Sequence, residues 1–156
     1  TNIFLLNSFQ TLISYAAFFG STQIFRYLYK NKADITPNIW IPAIHSDNAE
    51  LISEIEEIYN DMDEMSYRMT IQESIICHHN EMTNYIQSKY IPDDRMLYKS
   101  LLECSLCNVN FSFIEPEFIE KSTFCLLCQY DYYELVNEFL QFKYIDVNET
   151  IVFKIF

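Results

Sequence analysis

Two cysteine pairs, Cys104-x-x-Cys107 and Cys125-x-x-Cys128, stand with 17 residues between them. Thiolates so spaced are one way to hold zinc, because each pair supplies two sulfurs and the metal closes a tetrahedron. Paired thiols also serve dithiol redox chemistry. Zinc knuckles, however, use tight turns, usually with Gly, whereas these pairs enclose Ser105-Leu106 and Leu126-Leu127. With Zn–S near 2.3 Å, sulfurs around one ion lie within about 4.6 Å of each other. Pairs on neighbouring helices, with axes about 8–10 Å apart, do not meet that condition. Cys104 and Cys128 therefore read first as small apolar side chains. A zinc-binding module using Cys104, Cys107, Cys125 and Cys128 is kept as the alternative.

A second constellation is Cys77-His78-His79. All three side chains ligate metals, but adjacent residues diverge around a helix and no acidic residue stands at ligand spacing, so a helix terminus or turn is expected. His45 has no nucleophile near it in sequence and reads as a surface position. Gly20 is the single glycine, which excludes Gly-rich phosphate loops and the G-x-S-x-G elbow; H-E-x-x-H is absent as well. No titratable cluster can be assembled from the sequence. The chain is expected to catalyse nothing and to need no cofactor or metal.

These residues must be positioned by something with a core. In 156 residues, 50% are apolar and 17% aromatic, ample for a packed interior. One glycine and four prolines are too few for the turns of a β-sandwich or barrel, so helices are favoured. The net charge of −12 repels phosphate backbones and anionic lipid heads, which disfavours nucleic-acid and membrane-surface roles. Eight acidic residues and no basic one fall between Asp47 and Glu64. That run is either a solvated helix face or an acidic patch suited to a basic partner. No apolar run approaches the ~18 residues of a membrane span, and no secretory signal opens the chain. An odd number of cysteines, five, argues for a reducing compartment, and a cytoplasmic location is expected.

A repeat organises the chain. Around Gly20, Ile13 stands seven residues earlier and Ala16 four earlier; Ile24, Phe25 and Leu28 follow at four, five and eight. The same template fits at Asp47, His78, Asn108 and Asp131, with spacings of 27, 31, 30 and 23 residues. The position seven before the turn reads Ile13, Trp40, Ile71, Leu101, Phe124. Four before, it reads Ala16, Ala43, Ser74, Cys104, Leu127. Residues at i, i+3, i+4 and i+7 share a helix face, so each unit is a helix-turn-helix with an apolar stripe that only a neighbouring unit can bury. The small residue lets that neighbour approach closely. Pro116 shortens or removes the second helix of the fourth unit.

The last unit shows a family resemblance. Ser122-Thr123-Phe124-Cys125-Leu126-Leu127-Cys128-Gln129-Tyr130-Asp131-Tyr132-Tyr133-Glu134-Leu135-Val136, then Ile145-Asp146-Val147-Asn148, resembles an ankyrin repeat, with its Glu-Leu-Val and closing Asp-Val-Asn. Tyr15-Ala16-Ala17-Phe18-Phe19-Gly20-Ser21-Thr22-Gln23-Ile24-Phe25 and Cys77-His78-His79-Asn80-Glu81-Met82-Thr83-Asn84-Tyr85-Ile86 look like the diverged ankyrin-like domain of unknown function expanded in trichomonad protists. The Thr-Pro-Leu-His opening is intact nowhere, and Thr36-Pro37 sits too early to be it. The turn glycine survives only as Gly20, with Asp and Asn able to take its left-handed conformation elsewhere.

The resemblance implies an all-α, ankyrin-like solenoid of stacked antiparallel helix pairs, about five units with the fourth irregular. One domain is expected over 1–156, with units near 8–36, 37–66, 67–95, 96–121 and 122–150. Thr150 to Phe156 would begin a further unit, so a truncated or uncapped end is expected. The implied function is recognition of another protein on the concave helix face and loops. Phe19 and Tyr130, just before their turns, with His45, Glu54 and Glu57, are the candidate partner-binding residues.

Overall fold

Short polar side chains start several helices of this protein, and a left-handed residue follows the first helix of each pair. The computed structural model describes residues 10–59, 62–90, 95–114 and 121–142; all regular structure among them is helical, with no strand. Thr11 opens α1 (Leu12–Phe18), its hydroxyl accepting from the Ser14 amide at 3.3 Å. After α2 (Thr22–Lys30), a 3-10 turn with Pro37 at its first position, Pro37–Ile39, leads into α3 (Trp40–His45). Asn48 opens α4 (Ala49–Ile58) by accepting from the Glu50 and Leu51 amides, and Asp63 opens α5 (Glu64–Ile76) by accepting from Ser66. Next come α6 (Asn80–Tyr90), α7 (Arg95–Cys107), a 3-10 turn Phe111–Phe113, α8 (Lys121–Gln129) and α9 (Tyr133–Phe142).

The turn within each helix pair has one geometry. Gly20, Asp47, His78, Val109 and Asp131 all hold positive φ, between 51° and 63°. In four of these turns the next amide bonds back five residues, Ser21 to Ala16, His79 to Ser74, Asn110 to Ser105 and Tyr132 to Leu127, at 2.8–2.9 Å. This is the Schellman closure, which satisfies carbonyls a helix end leaves orphaned. It corrects the register of the fourth unit. The left-handed residue is Val109, not Asn108. The residue four before the turn is then Ser105, fully buried, rather than the half-buried Cys104. Likewise Leu102 stands seven before, where Leu101 was expected; both are buried. Nor does Cys128 fill a small-residue position, since it is exposed.

A β-branched residue in the left-handed region carries roughly 1–2 kcal/mol of strain. Val109 is 56% exposed, so little packing offsets it. Glycine there relieves the strain and returns part of the gain through unfolded-state entropy, roughly 0.5–1 kcal/mol. Val109→Gly is therefore expected to stabilise the fold by about 1 kcal/mol in urea denaturation. Asn108→Gly is expected to destabilise it by a similar amount, because it deletes the side-chain bond to the Cys104 carbonyl (2.8 Å). The reverse order would return the turn to Asn108.

The chain divides into two compact units, Thr1–Asp93 and Asp94–Phe156. In the first unit α1 packs on α2, α3 on α4 and α5 on α6, while α1 also packs on α3 and α3 on α5. First helices therefore form a row, each braced by its own second helix. Their buried faces hold Ile13, Ala16 and Ala17; Trp40, Ala43 and Ile44; Tyr67, Ile71 and Ile75. The second helices add Phe25, Leu51, Ile52, Ile55 and Ile86. Ile24, expected on the buried stripe, is 56% exposed, so Phe25 alone fills that part of α2.

Successive turns are tied together. Two residues that follow left-handed positions reach back to the preceding turn: Asn48 Nδ2 donates to the Gly20 carbonyl at 3.0 Å, and His79 Nε2 lies 3.4 Å from the His45 carbonyl. In the second unit Tyr132 does the same, its hydroxyl donating to the Leu106 carbonyl at 2.6 Å.

Within that second unit α7 packs on the 3-10 turn and on α8, and α8 on α9. Leu102, Leu106 and Leu127 are buried together, with Ile114, Leu126, Tyr132, Leu135 and Val136 against them. Where the fourth unit's second helix was expected to be short, the described residues show the single 3-10 turn Phe111–Phe113. Pro116, Asp61, the closing Asp146-Val147-Asn148 and Thr150 to Phe156 lie outside the described residues. No described helix is long and apolar enough to cross a membrane.

Candidate functional site

The C-terminal ends of the first helices carry the chemistry. Because α3 lies against α5, the last residue of α3, His45, meets the last turn of α5. There Glu73 and the cap residue Cys77, one helical turn apart, share a face. His45 Nδ1 lies 3.0 Å from Cys77 Sγ and 3.3 Å from Glu73 Oε1, and Cys77 Sγ lies 3.6 Å from the same Oε1. All three side chains are half-buried. The Phe18 ring stacks on the imidazole, centroids 4.2 Å apart and planes 14° from parallel, which holds the ring plane. His79 sits alongside, its Nδ1 3.5 Å from Asp47 Oδ2.

This overturns two readings of the sequence. His45 is not a bare surface position, since a thiol lies within hydrogen-bonding reach of it. Cys77 does have an acidic neighbour at ligand spacing, namely Glu73, four residues before it. The i, i+4 pairing was present in the sequence; the contact with His45, 28 residues from Glu73, depends on helix packing.

The arrangement does not suit nucleophilic catalysis. Burial pushes the Cys77 thiol up to about 12, and the Glu73 and Asp47 carboxylates push the same way. A protonated thiol is a poor nucleophile at neutral pH. In a working triad, moreover, acid and nucleophile engage opposite ring nitrogens. Here both approach Nδ1.

The other predicted residues are spread over the surface. Phe19 caps α1 and is 64% exposed, edge-on to Phe18. Tyr130, in the second unit, is 37% exposed, stacks on Tyr132 and shares a hydrogen bond with the Cys107 thiol at 3.1 Å. That bond is the first cause raising the Tyr130 hydroxyl above its ordinary pKa. Glu54 is paired to Arg26, and Glu57 is exposed.

The acidic run does not form one patch. Glu50 and Glu54 both pair with Arg26; Glu56 pairs with Lys89 and accepts from the Tyr85 hydroxyl. Asp63 caps α5 and Glu64 pairs with Arg68. Asp47 lies beside His79. Among the described members only Glu57 has none of these roles, which fits the reading of a solvated helix face.

Among the described residues, one group of three metal-capable side chains converges: His45, Glu73 and Cys77, with ligand atoms within 4.8 Å of one another. The four thiols of the paired-cysteine motif form no such group. Cys104 and Cys125 are half-buried, while Cys107 and Cys128 are exposed.

Compared with protein-family models, curated proteins and solved structures, the chain matches none.

Proposed function

We propose that the helix pairs form an ankyrin-like solenoid and that the chain works as a non-catalytic module binding another protein. Contact would be made by first-helix side chains and the adjoining turns. The observation that carries this reading is the row of first helices in Thr1–Asp93, with their ends fixed by a repeated left-handed turn. Such a row presents side chains on a rigid frame, so that binding costs little ordering entropy.

Large apolar side chains are available there. Leu12, the first residue of α1, and Phe19, its cap seven residues on, are 75% and 64% exposed. On α5, Met65, Met69 and Ile76 follow helical spacing and are 40–66% exposed. Exposed aromatic and Met side chains are typical of recognition surfaces.

Phe19→Ala tests the proposal. Its exposure predicts a stability change within about 0.5 kcal/mol. Partners recovered by proximity labelling with the intact protein are then measured for direct binding to purified wild type and variant. Affinity is expected to fall at least about tenfold, or ~1.4 kcal/mol, in the variant. A Phe19→Ala variant that binds every recovered partner as tightly as wild type would remove Phe19 from the surface. Recovery of no direct partner would remove the interaction reading itself.

A further inference from the structure

We infer that His45, Glu73 and Cys77 form a binding site for a divalent transition metal of the zinc class, clamping the end of α3 to the end of α5. The inference stands apart from the interaction reading and from the paired-cysteine motif.

The donor set is the first argument. An imidazole nitrogen, a thiol sulfur and a carboxylate oxygen suit zinc or cobalt, whereas the hard ions magnesium and calcium take oxygen ligands. Spacing is the second. Ligand atoms held 2.0–2.3 Å from zinc at tetrahedral angles lie about 3.3–3.6 Å from one another. The three edges here are 3.0, 3.3 and 3.6 Å. Only the nitrogen–sulfur edge must open, by about half an ångström.

The third argument is hydrogen-bond accounting. An imidazole nitrogen carries either one proton or one in-plane lone pair. If Nδ1 is protonated, it cannot donate fully to both the sulfur at 3.0 Å and the carboxylate at 3.3 Å. If it is not, its lone pair accepts from the Cys77 S–H at 3.0 Å while the carboxylate oxygen still faces it at 3.3 Å. A cation among the three atoms converts each contact into a ligand bond. Stacking on Phe18 fixes the ring, as outer contacts do around metal-bound histidines. Side-chain exposures of 26% for His45 and 23% for Glu73 leave an entry path. Three protein ligands leave a fourth position for water or a small donor.

Cobalt is the probe. Full-length protein, kept reduced and titrated with Co²⁺, is expected to develop the near-ultraviolet thiolate-to-cobalt band and the visible bands of a tetrahedral ion, both erased by zinc. Cys77→Ser is expected to lose the thiolate band. Glu73→Gln keeps it, with affinity at least about tenfold weaker. A Cys104→Ser/Cys128→Ser double variant is expected to retain the full spectrum. Zinc is also expected to raise the melting temperature of wild type but not of His45→Gln, which gives a second reading if Cys77→Ser does not fold. A wild-type spectrum without the thiolate band, or a band that survives Cys77→Ser and disappears from the double variant, would overturn the site.

Discussion

Trp40→Ala is expected to remove about 3–5 kcal/mol of stability, as truncation of a buried aromatic does. Trp40 is 2% exposed and is the first residue of α3, the central member of the first-helix row. That helix packs on α1, α4 and α5, so a cavity opened in it cannot collapse without disturbing a neighbour. The whole stability of an ordinary domain is roughly 5–15 kcal/mol, so the loss is a large share. At roughly 4–8 °C per kcal/mol for a unit of this size, the melting temperature falls by more than about 12 °C. The chain has one Trp, so wild-type unfolding is followed by its fluorescence and the variant by circular dichroism. A loss below about 1 kcal/mol would mean that α3 is not held as described.

What the sequence made legible follows from how local each cause is. Turn positions at Gly20, Asp47, His78 and Asp131 were readable because a helix end, a left-handed residue and an apolar stripe recur in step. The fourth was placed one residue early, at Asn108, because Asn tolerates positive φ better than Val; yet Asn108 instead spends its amide on the Cys104 carbonyl. Tertiary packing overrode local preference there, and burying Ser105 in place of Cys104 was the consequence. Ile24 illustrates the same limit: its spacing matched the stripe, but α2 buries Phe25 and leaves Ile24 outward.

The site was less legible than the fold. Glu73 and Cys77 stand four apart, which a helical reading could have paired. His45 joins them only because α3 packs on α5, a contact no spacing rule encodes. The tie from Asn48, His79 and Tyr132 to the preceding turn was legible in principle, since each is a hydrogen-bond donor one residue after a left-handed position. The acidic run shows a related limit. Its partners Arg26, Tyr85, Arg68 and Lys89 come mostly from other helices, so charge counted along the sequence overstated the charge left over in space.

Ala43→Leu is expected to destabilise the fold by about 1–3 kcal/mol, and Leu127→Ala by about 2–5 kcal/mol, although both residues stand four before their turns. Ala43 is fully buried on α3, which is flanked by α1 on one side and α5 on the other. Methylenes added at a fully buried position push on its neighbours, so the adjoining helices must separate or side chains must leave their rotamers. Leu127 occupies the equivalent place on α8 but is fully buried among Leu102, Leu106, Leu135 and Val136. That cluster is filled by the larger side chain, and truncation opens a cavity within it. Opposite size changes at one repeat position thus both cost stability, because the position specifies a distance to a neighbouring helix rather than a residue type. Urea denaturation of the two variants measures this directly. An Ala43→Leu variant as stable as wild type would show that close approach at that position does not set the spacing of the first-helix row.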